Sequence, residues 1–520
     1  MALRSWVPVA FALAIAATGA QAFDRESLVL RKCSTCHAPD ANGHLARVEQ
    51  MRTTPEEWAV IVDRMRRLHG VTLTAGEMDR VLKELATTQL LTPQEQAAVS
   101  YLSLWNNSQV VEEPADKSEE KFFAACVRCH TAGKIRSYRM TPDAWAKLRD
   151  FHLYAIPTVV FQLREMKWVQ EADAVLADLA TKLPYGGAWS PPSVTMTGSW
   201  HVFGEQPGRG PFRGQVTVTS VGDDPTEFGI DGRVAYADGA TESFAGDATL
   251  YGGYALRARM KIDGVQAFGA YIVAGDAITG ESHRPAPDFR TASVRWLRAG
   301  SGPRVARIVP AFALRGETTT LTVEGVDLPE VTAADVVFEG AAVDVIAAKR
   351  IADDAIQLVV KSRAAQATIA KVAIKGIDAT SVTLAPRIDG ITVTPAVGRA
   401  RLSAGGSHPA EGVQFQATAY AKSGSGKSAK AIPLGPVPAQ FTLAEEKTRP
   451  RDDDLRWLGT ISPHGTYIPI GDYGANPKRD YAGENSGLVK VVARYRRGER
   501  TYTGSAQLAV TMPDFIARLR

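Results

Sequence analysis

Cysteine is scarce in this chain of 520 residues: there are four, at Cys33, Cys36, Cys126 and Cys129, all in the first quarter. That scarcity excludes a disulfide-stapled architecture, because the remaining three-quarters must fold without a covalent bridge. A strong excess of one charge is lacking too, and a formal net charge of +4 spread along the sequence offers no basic stripe for a nucleic-acid partner. Long apolar runs are missing after the first residues, so no membrane-spanning helix is expected. The apolar run that does exist is N-terminal. Arg4 supplies a positive start, Val7 to Ala17 an apolar stretch and Ala20-Gln21-Ala22 a small-x-small cleavage site. Residues 1–22 therefore read as an export signal, with the mature chain beginning at Phe23.

What is there is concentrated in the same first quarter. Residues 33–37 read CSTCH and residues 126–130 read CVRCH, so all four cysteines fall in two CxxCH units. A two-residue gap matches the separation of the two vinyl groups on one porphyrin edge, and the adjoining histidine reaches the iron, which makes each unit a c-type haem attachment. A zinc site would require the two pairs to converge on one metal and leaves both histidines unexplained. A thioredoxin-type dithiol requires a βαβ context that these surroundings do not offer. Two haem c groups are expected, with Cys33, Cys36, Cys126 and Cys129 as thioether anchors and His37 and His130 as proximal iron ligands.

The two units belong to a longer repeat. Residues 54–70, TPEEWAVIVDRMRRLHG, overlay residues 141–157, TPDAWAKLRDFHLYAIP, so that Thr-Pro, Trp58 with Trp145 and Asp63 with Asp150 coincide. Thr54 and Thr141 read as helix N-caps, Pro55 and Pro142 as first helical residues, and Glu56, Glu57 and Asp143 as first-turn acids. On these helices Trp58, Ile61, Met65 and Leu68 share one apolar stripe, as do Trp145, Leu148 and His152. Met65 and His152 occupy the same place in the repeat. Thioether sulfur and imidazole nitrogen are the common distal haem ligands, so the expected pairs are His37/Met65 and His130/His152. Competitors are His44, His69 and Met166. The two tryptophans are expected to pack in the core or at the haem edge.

After the Gly/Pro/Ser-rich stretch PYGGAWSPPS, from about Tyr185, helical periodicity stops. Alternating runs such as GQVTVTSV, FGIDGRVAYA, ALRARMKI and AFGAYIVAG predict antiparallel strands over 194–297, closing as a barrel or stacking as a sandwich. A second β segment over 303–385 reads as an immunoglobulin-like sandwich, and a third over 386–520 as another of the kind. The fold class is thus multidomain α + β: an all-α dihaem cytochrome c domain at 23–186, in repeats of about 23–106 and 107–186, followed by three antiparallel β domains. In the β segments His201, His283, His408 and His464 are scattered, and SGSGKSAK lacks the GxxxxGK[ST] spacing of a phosphate loop, so no catalytic constellation is expected there. From the residues alone, an exported two-haem electron carrier follows. A standalone carrier for some dehydrogenase and a haem-bearing surface-binding protein both fit this reading.

The order of export signal, CSTCH, CVRCH with its TP-x-x-W repeat and three β segments resembles, over essentially the whole chain, the alpha, dihaem subunit of bacterial quinohemoprotein amine dehydrogenase. The resemblance implies a periplasmic heterotrimer with a β-propeller subunit and a small subunit bearing cysteine tryptophylquinone. It further implies oxidation of a primary amine at that quinone and delivery of electrons through the haems to an external blue-copper protein or cytochrome. On that reading no residue of this chain is catalytic.

Overall fold

The computed structural model describes residues 27–102, 111–187, 190–404, 409–424, 429–471, 473–479 and 484–512. The expected export signal, His408 and the centre of SGSGKSAK lie outside the described residues, as does the join between the two helical repeats. Among the described residues no helix is long and apolar enough to cross a membrane.

The N-terminal part is helical. Its elements are α1 (Leu28–Cys33), α2 (Pro55–His69), α3 (Ala75–Thr88), α4 (Pro93–Ala97), α5 (Glu120–Cys126), α6 (Ala132–Arg136), α7 (Pro142–Ala155), α8 (Val159–Gln162) and α9 (Trp168–Lys182). Two short strands, β1 (Met51–Arg52) and β2 (Arg139–Met140), pair antiparallel between the halves. The predicted starts of α2 and α7 are realised in full: Thr54 Oγ1 accepts from Glu57 N at 3.2 Å and Thr141 Oγ1 from Ala144 N at 3.3 Å, each with proline at the first helical position. Gly70, at φ 71°, closes α2 in the left-handed conformation that glycine adopts without a Cβ penalty. Each half has its own apolar core, one around Trp58, Val62 and Leu85, the other around Trp145, Val175 and Leu179. The expected stripe is shorter than its period suggests. Leu68 is 57% exposed, because the last turn of α2 runs beyond the core that holds Trp58.

Eight antiparallel strands, from Gly198–Gln206 to Thr291–Arg298, close into a barrel, which settles the choice left open between barrel and sandwich. The closing pair joins the last strand to the first, so no edge is left open. Alternation explains the filling: Val216 and Val218 point inward while Gln215 and Thr217 face solvent, and Trp200, Tyr271 and Trp296 complete the interior. The helical part docks onto this barrel. Tyr254 Oη donates to Leu91 O at 2.5 Å in a buried contact, and Lys83 Nζ lies 2.8 Å from Asp224 and 2.6 Å from Glu227.

Residues 304–385 form two four-stranded sheets packed face to face over a core that includes Leu321, Val323, Leu358 and Val372. Residues 390–511 form sheets of three, four and three strands around a core with Phe415, Phe441 and Tyr467. The expectation of purely antiparallel β segments is corrected at two places. Phe312–Leu314 pairs parallel with Ile377–Ala385, and Val397–Arg401 pairs parallel with Arg500–Thr511. In both, the preceding strand ends at a proline, Pro310 or Pro395, whose missing N–H interrupts the ladder. The chain then crosses to the other sheet and runs beside its final strand in the same direction.

Candidate functional site

The first CxxCH unit is built at the end of α1. Glu84 on α3 accepts from Ser27 Oγ at 2.7 Å, Leu28 N at 3.2 Å and Val29 N at 3.0 Å, so a carboxylate satisfies the N-terminal donors of α1 and fixes the helix against α3. Past Cys33 the chain turns tightly, with the amides of Cys36 and His37 both donating to the Cys33 carbonyl at 3.1 and 2.9 Å. His37 Nδ1 then lies 2.9 Å from Ala46 O. A ring nitrogen held by a carbonyl is a donor, which leaves Nε2 as the acceptor available to a metal. Burial pushes the His37 pKa down, and Arg47 and His69 reinforce the fall against the Ala46 carbonyl. His69 is thus close enough for its charge to register at His37. Met65 is half-buried on α2, one turn earlier. His44 is otherwise engaged, its Nδ1 lying 3.0 Å from the buried carboxylate of Glu49.

The second unit repeats the plan on other elements. Cys126 ends α5, and Trp168, at the start of α9, donates its indole N–H to Ala125 O at 2.9 Å, clamping the two helices beside the thiol. His130 and His152 are brought together: their ring centroids are 6.4 Å apart and their planes are inclined at 49°. Two metal–imidazole bonds of about 2 Å and two ring radii of about 1 Å place the centroids of a shared metal site roughly 6 Å apart, so the separation fits one metal between them. His152 Nδ1 lies 2.7 Å from Leu148 O and His130 Nδ1 3.4 Å from Thr131 O, which again leaves the Nε2 atoms for a metal. Burial lowers the His130 pKa to about 4, so the ring is neutral, the form that ligates. Met166, the competitor in this unit, packs among apolar neighbours with Trp168.

None of the four cysteines is in a disulfide. Burial raises Cys33 to about 11 and Cys126 to about 12. These two thiols, one in each CxxCH unit, are held protonated by their burial. Among the described residues no group of three or more His, Cys, Asp or Glu is arranged to hold a metal ion.

The two units face one another across a local pseudo-twofold axis. In the repeat alignment Arg52 matches Arg139, and in the β1–β2 pair these two residues are direct partners. Both guanidinium groups bond to Glu95, from Arg52 Nη1 at 2.9 Å and from Arg139 Nε at 2.9 Å. The tryptophans expected as packing are also tethers: Trp58 Nε1 donates to Gln89 O at 2.7 Å and Trp145 Nε1 to Leu183 O at 3.2 Å, matching carbonyls at the end of each unit. Sequence reasoning missed the arginine pair. The signal was present, since RTTP and RMTP each place an arginine shortly before the helix cap.

Against this geometry, three family models match the chain in succession: the alpha-subunit haem-binding model of quinohemoprotein amine dehydrogenase over residues 24–189, alpha-subunit domain II over 193–296 and alpha-subunit domain IV over 391–518. The chain belongs to the quinohemoprotein amine dehydrogenase alpha-subunit family. As an alpha subunit of this family it is a haem-binding, electron-transferring part of an oxidoreductase and works alongside other subunits. No curated protein matches the chain at a significant level. Among solved structures, a redesigned β-barrel bound to DFHBI is 19% identical and covers 20% of this chain and 94% of its own, with a TM-score of 0.18. Drosophila N-cadherin EC1-4 is 10% identical and covers 47% of this chain and 58% of its own, with a TM-score of 0.20. Neither likeness bears on the function of the alpha subunit.

Proposed function

We propose that the chain is a periplasmic relay with two covalent c-type haems, one anchored by Cys33 and Cys36, the other by Cys126 and Cys129. His37 and Met65 would ligate the first iron, His130 and His152 the second. The observation that carries the reading is the His130–His152 pair, 6.4 Å apart with both Nδ1 atoms turned to carbonyls, in a unit whose CxxCH supplies Cys126 and Cys129. Each thioether forms by adding a cysteine S–H across a vinyl group, sulfur to one carbon and hydrogen to the other, so attachment needs no oxidant. When bound, haem supplies reversible one-electron chemistry. The chain's own residues orient the ligands, through Ala46, Thr131 and Leu148, and exclude water through the cores around Trp58 and Trp145.

The electrons come from cysteine tryptophylquinone on a small partner subunit, reduced there by a primary amine, with a β-propeller subunit completing the heterotrimer. They leave singly to an external blue-copper protein or cytochrome. Supporting this are the family and the export-type N-terminus. The test is to add a primary amine to the assembled complex and to the isolated haem-loaded chain. The visible alpha band should sharpen in the complex only. Rapid reduction of the isolated chain would move substrate chemistry onto it, and a complex inert to every primary amine would overturn the relay.

A further inference from the structure

Arg64 and Phe151 hold the same place in the two repeats, one residue before Met65 and His152, and they meet across the pseudo-twofold axis. The Arg64 guanidinium carbon stands 4.9 Å from the Phe151 ring centroid. The same ring lies edge-on to His152, with centroids 5.7 Å apart and planes at 83°. One half-buried cation therefore bears on both candidate distal positions, as the immediate neighbour of Met65 along α2 and, through one phenyl ring, next to His152.

The carboxylates nearby are paired with other groups. Asp63 pairs with Arg66 and Arg67. Glu57 is taken by Lys134 Nζ and Tyr138 Oη, each at 2.6 Å. Among the described residues no carboxylate lies within ion-pairing distance of Arg64, so the aromatic face is its seat.

We propose that Arg64, seated on Phe151, is a fixed cation shared by the two haem sites that holds the reduction potential of both up. The inference rests on the reading that both CxxCH units carry haem. Reduction adds one electron at an iron centre, and a nearby positive charge favours the reduced form. With an effective dielectric near 20, a unit charge roughly 10 Å away shifts such an equilibrium by about tenfold, less where water screens it. Arg64 is a positioning residue here: it touches neither substrate nor iron, and it acts on both sites through the field.

The test is a spectroelectrochemical titration of the haem-loaded complex carrying Arg64→Gln, Arg64→Lys or Phe151→Leu, with haem content measured alongside. Arg64→Gln should lower both midpoint potentials, reducing the ferrous-to-ferric ratio several-fold at a fixed ambient potential. Arg64→Lys should stay near the wild-type values, since it keeps the charge, and Phe151→Leu should fall between, since the cation loses its seat. Unchanged potentials in Arg64→Gln with two haems retained, or equal falls for Gln and Lys, would overturn the proposal. If Arg64→Gln does not assemble, unchanged potentials in Phe151→Leu overturn it. A wild-type chain with fewer than two covalent haems would sink the underlying relay reading instead.

Discussion

Arg52 and Arg139 stand opposite one another across the paired strands at the centre of the helical part, and one carboxylate, Glu95, bonds to both. Two cations this close repel, and Arg52 is only 5% exposed, so the arrangement depends on that carboxylate. Further bonds from Arg52 to Leu90 O at 3.0 Å and to Tyr185 O at 2.8 Å extend the network to the ends of both units.

Glu95→Gln should destabilise the chain by about 3 kcal/mol, because it leaves two arginines facing without a counter-charge. Denaturant unfolding measures the difference. Burial works against the Glu95 charge, but hydrogen bonds from Arg52 and Thr92 and the charges of Arg52 and Arg139 outweigh it, so its pKa lies below the ordinary glutamate value of 4.5. A depressed carboxylate contributes stability that is present above that value and lost as pH falls through the lower, folded one. The gap between wild type and Glu95→Gln should therefore be full near neutrality and narrow below pH 4.5.

Replacing Cys126 and Cys129 together by alanine should leave one covalent haem per chain, as should replacing Cys33 and Cys36, since on the proposed reading each unit would form its own thioethers. Pyridine haemochrome stoichiometry gives the count. Two covalent haems retained in either double variant would remove the attachment assignment.

Met65→Ala should abolish the weak long-wavelength sulfur-to-iron band of the ferric protein, and His152→Ala should leave it, because thioether and imidazole impose different ligand fields. His69→Ala serves as the control, since the charge of His69 registers at His37. Persistence of the band in Met65→Ala would place the sulfur ligand elsewhere.

Tyr254→Phe removes the buried bond to the Leu91 carbonyl and should cost about 1–2 kcal/mol. Its effect should show as earlier unfolding of the helical part relative to the barrel, followed by visible haem absorbance against far-ultraviolet circular dichroism. Coincident transitions at wild-type denaturant concentration would mean the junction contributes nothing.

Much of this was legible in the sequence, for identifiable reasons. Haem binding is signalled by a short contiguous motif, and the caps at Thr54 and Thr141 depend on neighbours within one turn, so both could be read locally. Barrel strands such as Ala255–Ile262 announce themselves by alternation. The arginines of RTTP and RMTP are legible one by one, but that the two, 87 positions apart, meet as direct partners in one strand pair is a tertiary contact that no local pattern encodes. Leu68 fits the helical period and yet faces solvent, because periodicity identifies a face and says nothing of where the opposing core ends. The parallel pairs after Pro310 and Pro395 depend on which sheet the chain joins after a break, a tertiary choice.

The self-matching contacts at the axis have a consequence for how the two proposed haem centres can differ. Arg52 against Arg139 is how subunits of an isologous dimer meet, each residue on its own counterpart. In a dimer of identical chains every substitution is made twice, so its two centres are bound to remain twins. Tandem copies on one chain escape that constraint: a guanidinium can stand opposite a phenyl ring, and a methionine can hold the place that a histidine holds in the other half. Inequality between neighbouring redox centres, which gives an electron a direction to travel, is a freedom conferred by covalent duplication.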